Sequence, residues 1–127
     1  MHYVELVILI ALFQFFVFGA LVGRARGTYG VSAPAITGHE MFERAYRVQM
    51  NTLELLVLLL PGIYLAATLW SPTYAAVAGA VYIVGRVVYW RAYMAEPKSR
   101  SLGFALSMGP ILVMLVASFI AVARRML

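Results

Sequence analysis

Three long stretches of this chain contain no Asp, Glu, Lys or Arg, and they constrain its fold more than any other feature. They run from Leu6 to Gly23, from Leu55 to Gly85 and from Ser101 to Ala123. An α-helix needs about 20 predominantly apolar residues to cross the hydrocarbon core of a bilayer. The first and third stretches therefore predict one membrane span each, whereas the middle stretch is too long for a single span.

The middle stretch contains a turn signal over residues 70–74, which read WSPTY. Ser71 suits the N-cap of a helix and Pro72 suits its first position, while Trp70 and Tyr74 are the aromatic residues expected at a membrane interface. The sequence therefore predicts an all-α fold, an integral membrane four-helix bundle in a single transmembrane domain, 1–127. The helices are expected at roughly 3–26, 39–70, 72–96 and 101–124.

Two further signals mark helix ends. Thr37-Gly38-His39-Glu40 fits a capping box in front of the second helix. Pro97 disfavours helical geometry at Glu96, so the third helix is expected to end there.

Composition supports a membrane protein and excludes several other classes. Hydrophobic residues make up 64% of the chain and charged residues 12%, against about 25% charged residues in soluble domains. The net charge is +5, but the basic residues are scattered between apolar runs, so no nucleic-acid surface is predicted. The chain has no cysteine and only two distant histidines, so neither a disulfide nor a metal site is expected.

The basic residues also predict an orientation. Two predicted loop regions on one side of the membrane carry most of them: Arg24, Arg26, Arg44 and Arg47 in the first, and Arg91, Lys98 and Arg100 in the second. The opposite side carries only Arg124 and Arg125. By the positive-inside rule, both loop regions are expected to be cytoplasmic and both termini to lie on the other side.

Polar residues gather on two of the predicted helices. Arg47, Asn51 and Glu54 are spaced by four and three residues and share one face of the second helix, with Gln49 nearby. Arg86, Tyr89 and Tyr93 repeat this spacing on the third helix, and Arg100 follows its end. Ionisable residues at membrane depth are costly, so these side chains are expected to face the bundle interior or a wet cavity.

Two interpretations of this constellation remain open. In a structural one, Glu54 pairs with Arg86 or Arg47 and the network holds the helices in register. In a functional one, the site binds a small zwitterion with several carboxylates. Arginines would hold the carboxylates, Glu54 an ammonium group, and Asn51 and Gln49 amide groups.

At these residues the chain resembles the membrane-associated proteins in eicosanoid and glutathione metabolism, the MAPEG family. Segment 42–54 reads FERAYRVQMNTLE, which is similar to the family pattern E-R followed by R-x-Q-x-N-x-x-E. Segment 89–93 reads YWRAY, with Arg100 seven residues after Tyr93. The resemblance covers nearly the whole chain, and the pattern on the second helix is specific.

The resemblance implies a homotrimer of four-helix subunits that holds glutathione between neighbouring subunits. The residues implied in binding glutathione are Arg47, Asn51, Glu54, Tyr89 and Tyr93, which Arg26 and Gln49 could join. Arg100 matches the arginine that stabilises the thiolate and is the expected catalytic residue. Two positions depart from the leukotriene-C synthase pattern. Leu55 replaces a tyrosine, and Gly27 replaces a second arginine, which argues against leukotriene synthesis.

The expected function is therefore a membrane-bound glutathione S-transferase that acts on lipophilic electrophiles, with glutathione-dependent peroxidase activity toward lipid hydroperoxides as a further expectation. Two alternatives stay open. One is a non-catalytic scaffold of the same fold that binds lipid. The other is a small transporter subunit, which is disfavoured because the charges cluster at one face and do not line a path across the membrane.

Overall fold

The structure, a computed structural model, describes residues 1–127 and contains four long α-helices. They are α1 (His2–Tyr29), α2 (Glu40–Leu69), α3 (Pro72–Ala95) and α4 (Ser101–Met126), with a short 3₁₀ turn, Pro97–Arg100, between α3 and α4. All four helices are long and apolar enough to cross a membrane. This confirms the predicted all-α, multi-pass membrane architecture.

The hairpin between α2 and α3 forms as the sequence predicts. The Ser71 side chain accepts a hydrogen bond from the Tyr74 N–H, and Pro72 occupies the first turn of α3. The indole of Trp70 donates to the Ala117 carbonyl at 2.6 Å, which ties the hairpin to α4. At its other end α3 stops at Ala95, and Pro97 begins the 3₁₀ turn.

The ends of α1 and α2 differ from the sequence prediction. α1 continues to Tyr29 and ends at Gly30, whose φ of 69° provides a left-handed C-cap that glycine adopts without strain. The capping box expected at Thr37 is wrong. Gly38 has a φ of 144°, which a helix cannot include. α2 therefore starts at Glu40, one residue after the predicted position, and the His39 ring caps it by accepting from the Met41 N–H.

The α2–α3 pair occupies the centre of the bundle. Both helices pack against α1 and against α4, whereas α1 and α4 have little contact with each other. The outer surface exposes large apolar side chains such as Phe13, Phe16 and Phe119. A soluble monomer rarely presents so extensive an apolar surface, so these side chains fit contact with lipid.

Glycines allow α3 and α4 to approach closely. A Cβ added at Gly85 would lie 2.7 Å from the Leu106 carbonyl carbon, and one added at Gly103 would overlap the Tyr89 backbone. Small residues at such crossings are a usual device of helix packing in membranes. The close crossing sets the position of Tyr89 and of the turn that follows α3.

Candidate functional site

A cleft of about 430 Å³ opens where α2, α3 and α4 meet near the 3₁₀ turn. It is lined by Arg47, Asn51, Tyr89, Tyr93, Arg100 and Phe104. Five of these six residues belong to the site predicted from the sequence. The structure therefore brings the two polar helix faces and the arginine that follows α3 into one cavity.

The α2 wall of the cleft follows from helical spacing. Arg47 and Asn51 line the cleft from α2. Glu54 lies on the same side of α2 but outside the cleft lining, and its Oε1 is 3.4 Å from the Arg47 Nη1. The Arg47 side chain is 52% exposed and the Glu54 side chain 56%. An ion pair so open to its surroundings holds both partners weakly, so both charges stay accessible to a ligand.

The α3 wall consists of aromatic rings. Tyr89 and Tyr93 are one helical turn apart, and their rings stack with centroids 5.5 Å apart. Tyr89 is buried and Tyr93 is half-buried. The pair presents a flat, partly polar surface beside the two arginines.

Hydrogen bonds at the end of α3 hold Arg100 in place. The Ser99 hydroxyl contacts the carbonyls of Ala92 at 3.0 Å and Glu96 at 2.7 Å, and the Arg100 Nη1 donates to the Pro97 carbonyl at 2.9 Å. No carboxylate pairs with Arg100. Its positive charge is therefore positioned by the turn but left without an acidic partner.

Arg44 fastens this turn region to α2. Its Nη1 donates to the carbonyls of Met94 at 2.8 Å and Ala95 at 3.1 Å, and its Nη2 pairs with Glu40. The last carbonyls of a helix lack partners within the helix, so a cation suits this position. Arg44 thus acts as a brace between α2 and the end of α3.

A second cavity, of about 440 Å³, adjoins the cleft and shares Arg47 and Tyr93 with it. Its other lining residues are Ile36, Glu40, Glu43, Arg44, Tyr46 and Pro97. Both acidic and basic side chains line it, and it lies beside the loop that precedes α2. The cleft is therefore bordered by a charged cavity on the side of the loop between α1 and α2.

Arg26 and Gln49 were also predicted as site residues, but neither lines the cleft. The Arg26 Nη1 donates to the Ala35 carbonyl at 2.7 Å, and its guanidinium lies 4.7 Å from the centre of the Phe42 ring. The Gln49 amide packs against Gly19 of α1. Both residues therefore lie on the α1 side of α2, apart from the cleft.

Arg86 was predicted to share one face of α3 with Tyr89 and Tyr93, but it does not line the cleft with them. It is fully buried, and its guanidinium donates to Ser107 at 2.8 Å, to Asn51 at 2.8 Å and to Thr52 at 3.3 Å. Of the two pairings considered for Glu54, the structure shows Arg47 and not Arg86. Sequence reasoning missed Thr52 and Ser107. The available signal was a hydroxyl residue within an apolar helix.

The two departures from the family pattern lie outside the cleft lining. Leu55 is 3% exposed and belongs to the hydrophobic core, so the cleft gains no hydroxyl there. Gly27 is exposed near the end of α1, with no atom within 4 Å of an added Cβ. No group of three or more His, Asp or Glu side chains comes together anywhere in the chain.

Comparison with known proteins gives consistent matches. Residues 4–120 match the sequence model of the MAPEG family. An uncharacterized protein of Synechocystis sp. is 46% identical over 101 residues, which are 80% of this chain and 74% of that protein. Microsomal glutathione S-transferase 2 of Homo sapiens is 34% identical over 110 residues, 87% of this chain and 75% of the relative. Leukotriene C4 synthase of Cavia porcellus is 36% identical over 83 residues, 65% and 55% respectively.

Proposed function

The chain belongs to the MAPEG family, and from this premise we propose that it is a membrane-bound glutathione S-transferase that conjugates glutathione to lipophilic electrophiles. The observation that carries the proposal is the single cleft that gathers Arg47, Asn51, Tyr89, Tyr93 and Arg100. The names of two relatives, microsomal glutathione S-transferase 2 and leukotriene C4 synthase, support the same chemistry.

The cleft matches the functional groups of glutathione. Glutathione carries two carboxylates, one ammonium group, two amides and a thiol. Arg47 would bind a carboxylate through its planar fork of donors, and Glu54 beside it would receive the ammonium group. Asn51 would bond an amide or carboxylate oxygen, and the Tyr89 and Tyr93 rings would support the backbone of the tripeptide.

We further propose that the active protein is a homotrimer and that each site is shared between neighbouring subunits. The support is the placement of the predicted site residues on two sides of α2. Arg26 and Gln49 lie on the α1 side, away from the cleft of their own subunit. In a trimer packed through α2, they would reach the cleft of a neighbour. Mixed oligomers that combine Gln49→Ala and Asn51→Ala subunits would test this, because some of their sites would be intact if sites are shared.

In the proposed reaction, Arg100 favours the thiolate form of glutathione. A free thiol has a pKa of about 8.5 and is mostly protonated at neutral pH, and an adjacent cation lowers that value. The thiol proton leaves to solvent, and the thiolate sulfur forms a bond to the electrophilic carbon as the leaving group departs with its electron pair. The same thiolate would attack a lipid hydroperoxide, and a second glutathione would complete the disulfide, leaving an alcohol and water.

A lipophilic second substrate would reach the site through the bilayer, between helices. The site end of the bundle is proposed to face the cytoplasm, with both termini on the other side, because the arginines concentrate at that end. A reporter fused at Leu127 that reads cytoplasmic would contradict this orientation. Gly27 offers no cation for a leaving oxygen, so general electrophiles are favoured over leukotriene formation.

Retention on glutathione-agarose, followed by a conjugation assay with a lipophilic aryl halide, would test the proposed function. The protein should be purified in detergent, with Gln14→Leu as a control in which a partly buried hydrogen bond between helices, outside the cleft, is lost. Retention with turnover supports the transferase. Retention without conjugation or hydroperoxide reduction would contradict an enzyme and favour a scaffold. No retention of either sample would overturn the assignment of glutathione.

A further inference from the structure

Arg86 is a fully buried arginine at membrane depth without an acidic partner. Its relative exposure is 0%, and no carboxylate lies within ion-pair distance of it. A charge in such a place is costly, so it requires good compensation and is a reason to look for a role. Its contacts indicate which residues it acts on.

The Arg86 guanidinium contacts neutral oxygens. Two of these are hydroxyl oxygens whose orientation is fixed by hydrogen bonds to backbone carbonyls of their own helices. The Ser107 hydroxyl donates its proton to the Gly103 carbonyl at 2.6 Å, and the Thr52 hydroxyl donates to the Val48 carbonyl at 2.8 Å. Each hydroxyl has one proton and two lone pairs. Both therefore present lone pairs to Arg86, whose Nε lies 2.8 Å from Ser107 and whose Nη1 lies 3.3 Å from Thr52.

The third acceptor is the side chain of Asn51, which also lines the cleft. The Arg86 Nη1 lies 2.8 Å from the Asn51 Oδ1. The reverse orientation of the amide would place its NH₂ group against a guanidinium that can only donate. Arg86 therefore determines which end of the Asn51 amide faces it, and the NH₂ group is left for the cleft.

Arg86 also supports the aromatic wall of the cleft. Its guanidinium carbon lies 4.3 Å from the centre of the Tyr89 ring, within the range of a cation–π contact. Tyr89 in turn stacks on Tyr93. One buried side chain thus contacts residues from both walls of the cleft without lining it.

We propose that Arg86 is a positioning residue for thiol-peptide binding, which orients the Asn51 amide so that its NH₂ group donates to an oxygen of the bound glutathione. This inference rests on the proposed function. A different role would be a simple fastening of α2, α3 and α4. The two differ in one respect, because a positioning residue acts on ligand affinity through Asn51, whereas a fastening acts on stability whatever residue 51 is.

A double-mutant cycle separates these roles. Arg86→Lys keeps the charge but loses the fork that reaches Ser107 and Asn51 together. We expect it to raise the glutathione Kd about tenfold, as for one lost charge-assisted hydrogen bond, with kcat at saturating glutathione changed less than about threefold. In an Asn51→Ala background, the same substitution should change the Kd less than about twofold. Fully additive effects would overturn the proposal.

Gln14→Leu provides the matched control for general loosening of the bundle. Gln14 makes a partly buried interhelical hydrogen bond of its own, to the Ile83 carbonyl at 3.0 Å, away from the cleft. Its loss should lower the thermal midpoint and leave the glutathione Kd unchanged. If Gln14→Leu raises the Kd as much as Arg86→Lys does, the Arg86 effect is only a loss of stability and the proposal fails.

Asn51→Asp gives a second test that does not depend on the folding of Arg86 variants. A carboxylate at this position would pair with the buried guanidinium, so the thermal midpoint should hold or rise, while the glutathione Kd rises at least about tenfold because the donor is lost. A lower thermal midpoint with an unchanged Kd would overturn the proposal. If the unaltered protein binds no glutathione, the proposed function fails first and this inference fails with it.

Discussion

Two regions that contain arginines lie side by side at one end of this bundle. They differ in how far the arginine side chains are buried and in what those side chains contact. Around Arg86, every contact is internal, and the guanidinium is buried among neutral oxygens and aromatic rings. In the neighbouring cleft, Arg100 has a single hydrogen bond to its own turn, and Arg47 shares an exposed ion pair with Glu54. The first region is closed by the protein itself, whereas the second leaves charge free.

The difference leads to separate expectations for the two regions. The hydrogen bonds of Arg86 all lie within the fold, so they can hold Ser107 and Asn51 in a defined orientation. A charge with few partners gains most from an anionic ligand, because the ligand supplies what the protein does not. We therefore expect substitutions in the cleft to alter ligand chemistry, and substitutions in the enclosed region to alter stability or ligand orientation.

Arg100→Ala should have the largest effect and fall almost entirely on chemistry. We expect kcat to fall about 100-fold, the scale for loss of one stabilising group in an active site, while the glutathione Kd moves little. Thiolate absorbance of the complex should fall and the pKa of the bound thiol should rise, because no guanidinium favours the anion. Arg100→Lys should recover part of the rate.

Full turnover of Arg100→Ala with an unshifted thiol pKa would remove Arg100 from the catalytic role. Arg100 would then be a surface charge that sets topology, and Arg26 would be the next arginine to test. The difference in burial between Arg100 and Arg86 would then not correspond to a difference in function.

Gly103→Ala should act on the enclosed region. The added Cβ would overlap the Tyr89 backbone and force α4 away from α3, which separates Ser107 from Arg86. We expect a loss of about 1–3 kcal/mol in the free energy of unfolding, the usual range for overpacking. Thermal denaturation in detergent would measure it.

Gly23→Ala, in α1, is the control. No atom from the rest of the fold lies within 4 Å of a Cβ at this position, and alanine favours a helix over glycine by about 1 kcal/mol. Stability should therefore hold or rise. Equal losses in Gly103→Ala and Gly23→Ala would show that the close crossing of α3 and α4 does not matter for stability.

Glu54→Gln should weaken glutathione binding with little effect on the fold. Loss of the partner for the ammonium group should raise the Kd about tenfold, the scale of one charge-assisted hydrogen bond. The exposed Arg47–Glu54 pair contributes little stability, so the protein should remain folded and monodisperse. Unchanged affinity, measured by calorimetry on a well-folded sample, would defeat this assignment of Glu54.

Salt should have the smallest of the predicted effects, and it should affect the cleft more than the region around Arg86. An increase from about 0.05 M to about 0.5 M sodium chloride shortens the screening length severalfold. The glutathione Kd should rise a few-fold, because the cleft charges are exposed, whereas the thermal midpoint should change little, because the Arg86 contacts are buried. A Kd independent of salt would indicate that glutathione is not held by the cleft charges.

Much of the fold could be predicted from local patterns. The charge-free stretches locate the four helices, and Ser71-Pro72 and Glu96-Pro97 mark ends that the structure confirms. The start of α2 was predicted to within one residue, but its capping residue was not. Thr37 and Glu40 have the spacing of a capping box, but the positive φ of Gly38 prevents the helix from including that residue. Backbone conformation in a loop depends on what the loop packs against, here Val31.

The site was predictable to the extent that it follows helical spacing. Arg47 and Asn51 share one side of α2 in any straight helix, as Tyr89 and Tyr93 do on α3. Spacing within one helix does not state which helix faces which. For that reason the placement of Arg26 and Gln49 toward α1, and of Thr52 and Ser107 around Arg86, did not follow from the pattern.

The sequence by itself determined that this chain is a bundle of membrane-spanning helices with a polar end, because hydropathy, capping and helical spacing are local properties. The tertiary structure alone decided which charges are enclosed and which are open. That depends on the rotation and approach of helices, set by contacts such as those of Gly85 and Gly103 between α3 and α4. The sequence pattern of α3 alone does not specify which of its residues face α2 and α4.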